Sequence, residues 1–245
     1  MKKTKLFLLH YAGGSVYSFQ KFRPYLDDFE VIPIELPGRG KRISEELISD
    51  FEKAAQDVFD QISRLLSPGG FLIYGHSMGA YLALKVCSML EQINRSPAYL
   101  IVSGNPGPGG SIKKNRYLFN PPEFLNEIRN LGGASEDFLS NKELLDFFEP
   151  ILRADFEVAE RNEVELVPPV RSSLHAIMGN EEEFVDRIEN WNRFTQSDFS
   201  YDILEGGHFF IDNHPEKVSA IIKSCGFKTK HNGHKLLEDV PVSKT

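Results

Sequence analysis

Short apolar runs alternate along the chain with longer stretches whose apolar residues recur at helical spacing. The runs, which have the length of buried strands, lie at residues 5–10, 30–35, 71–74, 98–103, 172–178 and 200–204. Helical spacing is found at residues 49–66, 80–92, 185–194 and 215–224. This alternation predicts an α/β fold with a mostly parallel central sheet flanked by helices on both faces.

The middle of the chain departs from this alternation, because residues 121–165 hold helical patterns with no strand between them. The pattern predicts helices from Pro121 to the glycines at 132–133, at 141–148 and at 152–161. Helices inserted after a strand are typical of a lid over a site at the sheet edge, so we predict a lid at about 115–165.

Two adjacent aromatic residues of this lid, Phe147 and Phe148, are candidates to line an acyl-binding pocket. Aromatic residues at helical spacing also serve as ordinary packing, which is the alternative interpretation of the pair.

The 245 residues suit one large domain, because no Gly/Ser-rich linker divides them. We predict a single domain over residues 1–225 and a polar C-terminal tail over 226–245. The 28 basic and 35 acidic residues give a net charge of −7, which disfavours a nucleic acid or an anionic membrane as the main ligand. No apolar stretch approaches the ~18 residues of a membrane span.

The only two cysteines, Cys87 and Cys225, form neither a disulfide framework nor a metal-binding spacing. This usage fits a reducing cytoplasm, and no metal site is predicted.

The most informative motif is Gly75-His76-Ser77-Met78-Gly79, between an apolar run and a helical pattern. It has the form of a nucleophile elbow, in which a strand turns so sharply into a helix that the serine adopts a strained conformation. Only very small residues two positions before and after the serine avoid a clash there, and both positions are glycine. Ser77 is therefore predicted to be a nucleophile; an inert serine in a tight glycine turn is the alternative.

A nucleophilic serine needs a histidine within hydrogen-bond reach and an acid that orients the histidine. His208 follows the last predicted strand, and in this fold the chain order is serine, acid, histidine. The acid is expected in the loop after the preceding strand, which carries Glu181, Glu182 and Asp186. Chain order does not choose among these three.

The negative charge that forms on attack requires two N–H donors in fixed positions. One is the amide after the nucleophile, that of Met78, and the other is expected from the glycine-rich loop 11–15, at Ala12. A plain turn is the alternative interpretation of this loop.

Taken together, the motifs resemble those of the type II thioesterases, the stand-alone editing enzymes of nonribosomal peptide and polyketide synthesis. The resemblance covers about residues 5–225 and rests on motifs at 10–15, 36–40, 75–80, 103–104, 131–133, 152–156, 191 and 206–210.

The resemblance implies an α/β-hydrolase fold with a helical lid and a serine enzyme that hydrolyses acyl or aminoacyl thioesters on the phosphopantetheine arm of carrier proteins. Such enzymes remove aberrant or stalled groups; neither a metal nor a redox cofactor is implied, and a monomer is expected. By position, Ser77 would be the nucleophile, His208 the general base and then acid, and Ala12 and Met78 the oxyanion donors.

The acid departs from the family pattern. The family has an aspartate three residues after the glycine of the late strand, whereas the residue three after Gly179 is Glu182. Acids of such triads are Asp or Glu, so we assign Glu182, with Glu181 or Asp186 as alternatives if the loop is shifted.

Two other functions share these residues. One is a small-molecule esterase or acyl-CoA thioesterase, because fold and triad do not fix the substrate. The other is a non-catalytic carrier-binding protein, for which the unusual glutamate is the only sequence support.

Four basic residues are candidates for a patch that docks an acidic carrier protein: Lys21, Arg23, Lys41 and Arg42. Two motif arginines, Arg39 and Arg153, have no assigned role, and Glu35 and Asp155 are candidate partners for them.

Overall fold

Six parallel strands form the central sheet of the computed structural model, which describes residues 3–238 and the side chains up to residue 227. The strands are β1 (Thr4–Leu9), β2 (Phe29–Ile34), β3 (Phe71–His76), β4 (Tyr99–Ser103), β5 (Ser173–Gly179) and β6 (Phe199–Leu204). Their order is β2-β1-β3-β4-β5-β6, and every neighbouring pair is parallel. The carboxyl ends of β3, β5 and β6, where the candidate site residues follow, therefore meet at one edge of the sheet.

Helices cover both faces of the sheet, because successive strand side chains point to opposite faces. On one face, Phe7 and Leu9 of β1 pack with α1 (Phe51–Leu65) and α2 (Met78–Gln92). On the other, Leu6 and Leu8 pack with α6 (Phe210–Asn213) and α7 (Pro215–Glu238). The two clusters make a three-layer α/β fold, as predicted.

Three helices lie between β4 and β5 and form the lid. They are α3 (Pro121–Leu131), α4 (Glu136–Ser140) and α5 (Lys142–Glu160), flanked by short 3₁₀ turns at Arg116–Leu118 and Val164–Leu166. The lid has a small apolar cluster of its own, built on Phe124, Ile128, Leu139 and Phe156. Gly132 ends α3 with a φ of 78°, a left-handed conformation that glycine adopts without steric cost.

The helices differ from the prediction at three places. Helix α4 (Glu136–Ser140) was not predicted. Lys142–Glu160 forms one helix where two were predicted, because apolar residues on both sides of Pro150, such as Leu145 and Leu152, pack on the lid cluster. That packing offsets the hydrogen bond that proline removes. The segment Val185–Phe194 is helical with the predicted bounds and has 3₁₀ geometry.

The third difference is at the C-terminus. Helix α7 continues to Glu238 and so passes the predicted end at residue 224 into the region expected to be a polar tail; residues 239–245 lie outside the described residues. Within the described part of the chain, no helix is long and apolar enough to cross a membrane.

Candidate active site

The turn from β3 into α2 holds Ser77 in a strained conformation. Its φ of 56° and ψ of −116° lie outside the regions that non-glycine residues favour. A Cβ on Gly75 would lie 2.1 Å from the carbonyl oxygen of Gly79, and a Cβ on Gly79 would lie 2.2 Å from that of Leu9. Glycine is therefore required at both positions, and the turn has the geometry of a nucleophile elbow.

The loop after β4 supports the elbow. The Ser77 N–H donates to the Ser103 carbonyl at 2.7 Å, and the Asn105 side-chain amide donates to the Ser77 carbonyl at 2.9 Å. The Trp191 indole N–H donates in turn to the carbonyl of Asn105 at 3.0 Å. The role of Asn105 was not predicted from the sequence, where the available signal was a polar residue two positions after a buried strand.

Ser77, His208 and Glu182 form one hydrogen-bonded chain. His208 Nε2 lies 2.9 Å from Ser77 Oγ, and His208 Nδ1 lies 2.8 Å from Glu182 Oε2. With the carboxylate accepting from Nδ1–H, Nε2 is the unprotonated nitrogen and accepts from the serine hydroxyl. The arrangement can take the serine proton while the carboxylate stabilises the resulting imidazolium.

Of the three candidate acids, the structure places only Glu182 against the histidine. Its side chain is 6% exposed, and its second oxygen, Oε1, accepts from the Gly179 N–H at 2.8 Å. The longer glutamate arm is thus tied to the end of β5 as well as to the histidine. Glu181 and Asp186 are exposed, and neither is hydrogen-bonded to His208.

A second histidine lies beside the first. The ring of His76 is fully buried, with its centroid 5.2 Å from that of His208. His76 Nδ1 contacts Ser103 Oγ at 2.8 Å, and the same hydroxyl contacts the Tyr74 hydroxyl at 2.8 Å. Burial lowers the pKa of His76 well below 6.5, so this ring is neutral and adds no charge beneath His208. The His76 side chain is thus directed to partners other than Ser77.

The predicted oxyanion residues line the same cavity as the serine. This cavity of about 610 Å³ is bordered by Ala12, Ser77, Met78 and His208 on one side and by lid residues on the other. Ala12 lies in a tight turn in which the Gly14 N–H donates to the Tyr11 carbonyl at 2.9 Å. The Ala12 N–H has no hydrogen-bond acceptor among the described residues, which leaves it available to a substrate.

The two candidate acyl-binding residues are placed differently from each other. Phe148 lines a second cavity of about 310 Å³, bordered mainly by the lid and by the loop 11–15. Phe147 is 52% exposed and lines neither cavity. The two cavities share Ala12, Leu131 and Phe156.

Both motif arginines have carboxylate partners. Arg39 and Asp155 are buried and form a two-pronged ion pair, with Nη1 to Oδ2 at 2.5 Å and Nη2 to Oδ1 at 2.7 Å. Arg153 pairs with Glu149 within the lid at 2.7 Å. Neither arginine lines the cavity that contains Ser77. Over the described residues, no cluster of His, Cys, Asp and Glu side chains suits a metal ion.

The chain is similar to known proteins over most of its length. The chain is 32% identical over 215 residues to the gramicidin S biosynthesis protein GrsT of Aneurinibacillus migulanus, covering 85% of this chain and 83% of GrsT. It is 31% identical over 218 residues to the thioesterase PikA5 of Streptomyces venezuelae, covering 86% and 76% of the two chains.

A solved structure extends the likeness to three dimensions. RedJ, a thioesterase from the prodiginine biosynthetic pathway of Streptomyces coelicolor, superposes with a TM-score of 0.83 at 29% identity and covers 91% of both chains. The predicted α/β-hydrolase fold is thereby confirmed. The Thioesterase domain family model matches residues 4–226, which include the elbow, the histidine and the glutamate. The protein therefore belongs to the thioesterase family.

Proposed function

We propose that the protein hydrolyses acyl or aminoacyl thioesters on the phosphopantetheine arm of carrier proteins, and so clears aberrant or stalled groups in nonribosomal peptide or polyketide synthesis. The observation that carries this proposal is the chain from Ser77 through His208 to Glu182 at the floor of a lidded cavity. Relatives named for such pathways, including GrsT and RedJ, support the substrate class.

The first half-reaction forms an acyl-enzyme. The Ser77 hydroxyl gives its proton to His208 Nε2 as Oγ attacks the thioester carbon. The carbonyl oxygen becomes an oxyanion, which the N–H groups of Ala12 and Met78 stabilise. The tetrahedral intermediate collapses by breaking the C–S bond, and the imidazolium returns the proton to the departing thiolate.

The second half-reaction releases the acid. Water enters the cavity and gives a proton to His208 as its oxygen attacks the acyl-serine carbonyl. Collapse of the second intermediate breaks the ester bond, and the proton on His208 passes to Ser77 Oγ. Glu182 holds the imidazole in the required tautomer in both halves and stays ionised throughout.

The non-catalytic alternative rested on the glutamate at the acid position. Because Glu182 reaches His208 at 2.8 Å and is itself fixed by the Gly179 amide, the geometry favours a working triad. The esterase and acyl-CoA alternatives use the same triad and are decided by substrate comparison.

The predicted carrier-docking patch has limited support from the structure. Arg42 is engaged with Glu45 and Asp57, and Lys21 lies 3.5 Å from Asp212. None of the four candidate cations lines the serine cavity, whereas Lys113 and Lys114 do. We propose carrier docking beside these two lysines, since they border the serine cavity and a phosphate-bearing arm needs cationic contacts near the opening. Like Lys21 and Arg42 they have carboxylate partners, with Lys113 at 3.5 Å from Glu165 and Lys114 at 3.3 Å from Glu127, so position and not freedom from ion pairs distinguishes them. A monomeric state and a cytoplasmic location stay predictions.

The deciding experiment compares one acyl group on three supports: a phosphopantetheinylated carrier protein, coenzyme A and a simple alcohol. We expect the highest kcat/KM with the carrier, a decrease of that value with added salt, and no turnover in Ser77→Ala. Equal or faster hydrolysis of the free ester would contradict the proposal and leave a general esterase. Turnover that survives Ser77→Ala would contradict the assigned nucleophile.

A further inference from the structure

A carboxylate of the lid is joined to the loop that carries the predicted oxyanion donor. Asp155 lies on α5 and is fully buried, and its Oδ2 accepts from the Gly13 N–H at 2.7 Å. The same carboxylate is held by both terminal nitrogens of Arg39, which follows β2. Asp155 therefore bridges the lid helix, the oxyanion loop and the segment after β2, although 142 residues separate it from Gly13.

The hydrogen bond falls on the peptide that defines the turn. In residues 11–14 the Gly14 N–H bonds to the Tyr11 carbonyl, and Gly13 has a φ of 76°. A positive φ at the third position is the mark of a type II turn, which differs from type I by a flip of the central peptide. The N–H of that peptide is the one that Asp155 accepts. The flipped form would instead direct the Ala12 carbonyl at a carboxylate, which is electrostatically unfavourable.

Other contacts hold the same loop from the same side. Arg39 Nη1 donates to the Gly14 carbonyl at 3.2 Å, and the Val16 N–H donates to Glu35 Oε1 at 3.0 Å. Leu152, one turn before Asp155, packs so closely that a Cβ on Gly13 would lie 2.4 Å from its Cδ2. Helix α5 thus holds the loop through one apolar contact, from Leu152, and one hydrogen bond to a carboxylate, that of Asp155.

Because the Gly13 N–H is committed to Asp155, the amide of this turn that is left for substrate is that of Ala12. Without this hydrogen bond the loop would be free to shift away from α5, and the Ala12 N–H would move with it, since Ala12 directly precedes Gly13 in the same turn. We propose that Asp155, held by Arg39, is a positioning residue that holds the turn where it presents the Ala12 N–H to the oxyanion. The proposal rests on the function proposed above and makes one wall of the oxyanion hole depend on the lid helix.

The test uses Asp155→Asn, which preserves the size of the side chain but removes the negative charge that pairs with Arg39. The new amide N–H₂ would also face one of the two groups that donate to Asp155, Arg39 or the Gly13 N–H. Arg39→Lys is the milder companion variant, because it keeps a positive charge and removes the two-pronged contact. Rates are normalised to the number of serines that react with a fluorophosphonate, so that a partly unfolded preparation does not count as a slow enzyme.

Two readouts separate positioning from stability. One is the split between kcat and KM on a small soluble thioester. The other is the affinity for a trifluoromethyl ketone analogue, whose adduct with Ser77 carries the oxyanion. We expect Asp155→Asn to lower kcat and the ketone affinity by the same factor, about 10- to 100-fold, which is less than the loss from deleting an oxyanion donor. The KM should change less than about threefold. Arg39→Lys should show a smaller loss of both.

The matched control is Arg153→Met. Arg153 lies two residues away on the same helix and donates to the carbonyls of Tyr117 and Phe119 within the lid, without contacting the oxyanion loop. Its loss should lower the melting temperature but leave the ketone affinity within about twofold of the wild type.

Three outcomes would overturn the proposal: an unchanged ketone affinity in Asp155→Asn, a rise in KM as the main effect, or an equal loss of ketone affinity in Arg153→Met. Failure of the proposed function is seen separately. If the wild type prefers free thioesters to carrier-bound ones, the carrier substrate is wrong, while the ratio of ketone affinities still decides the role of Asp155.

Discussion

The two sides of the catalytic cavity are built on different physical principles. On the sheet side, Ser77, Glu182 and His208 follow strands whose order and parallel pairing bring them together. Backbone hydrogen bonds hold Ser77 and Glu182, and Glu182 in turn holds His208. On the lid side, α3 to α5 share a small apolar cluster. The buried ion pair of Arg39 with Asp155 attaches α5 to the segment after β2, and the partly buried pair of Arg116 with Glu160 lies within the lid. Geometry on the sheet side comes from the fold, and on the lid side from a few side chains.

This difference has an energetic consequence. A backbone elbow tolerates almost no change, because any added atom meets another backbone atom. An ion pair between side chains can be exchanged for an apolar pair of similar volume, often without loss of stability. We therefore expect substitutions on the sheet side to remove activity or folding, and those on the lid side to be correctable by a second substitution.

The largest effect is expected from the acid of the triad. Glu182→Ala should lower kcat about 10³- to 10⁴-fold, because the histidine loses the group that fixes its tautomer. Glu181→Ala, one residue away and exposed, should stay within about threefold of the wild type. Steady-state kinetics on a soluble thioester measures both, and the reverse ranking would move the acid to Glu181.

A second test compares one glycine from each side. In Gly79→Ala the new Cβ meets the carbonyl oxygens of Leu9 and His10 at 2.2 and 2.7 Å, and we expect a loss of about 4 kcal/mol or failure to fold. In Gly132→Ala the Cβ meets nothing within 4 Å, so only the positive φ is penalised, at about 1 kcal/mol. Urea unfolding measures both values; equal losses would refute the proposed difference between the two sides.

The ion pair inside the lid provides the third test. Arg116→Met leaves the Glu160 carboxylate, whose pKa burial already raises, without its cation, at an expected cost of about 3 kcal/mol. The double variant Arg116→Met/Glu160→Leu should recover most of that loss, since Glu127, the second carboxylate at Arg116, keeps Lys114 at 3.3 Å. Hydrogen exchange of the α5 amides reports the effect locally, and a double variant no more stable than the single one would show that the lid needs the charges themselves.

The smallest expected effect is a loss of folding stability at low pH. His10 lies under the oxyanion loop, and burial lowers its pKa from 6.5 to about 4. Because the folded pKa is below the unfolded value, the unfolded chain takes up the proton first, and stability is lost as the pH falls from 6.5 towards 4. His10 alone should contribute a loss of about 2 kcal/mol between pH 7 and pH 5.

The measurement is urea unfolding at several pH values with His10→Asn as the comparison, since an asparagine N–H can replace the ring donor to the Tyr11 carbonyl. The pH slope should be shallower in the variant by this amount. An identical slope in the two proteins would assign the acid sensitivity to other groups, of which His76 is the first to examine.

The sheet side was largely predictable from the sequence, for a physical reason. The strands and the glycine-flanked elbow are determined by residues that are close together in the sequence. The local pattern therefore predicted the strands, the elbow, and the position of Ser77 and His208 at one edge of the sheet. The acid was less determined, because the three candidates Glu181, Glu182 and Asp186 lie within six residues and only the turn after β5 selects among them.

The lid side was predicted as helical but not in its attachments. The pairing of Arg39 with Asp155 spans 116 residues, and no local pattern records which of several carboxylates an arginine meets after folding. The continuity of α5 through Pro150 was missed for a related reason, since packing on the lid cluster outweighed a local preference. Phe147, grouped with Phe148 by spacing, lies on the exposed side of the same helix.

The central claim is that Ser77 receives the acyl group from a carrier-bound thioester before water releases it. The direct test mixes the protein with acyl carrier, stops the reaction in acid at early times and measures the intact mass and the peptide that contains Ser77. We predict a transient mass increase equal to the acyl group, confined to that peptide and absent in Ser77→Ala. Release of the acyl group with no acylated Ser77, or with the adduct on another residue, would contradict the account.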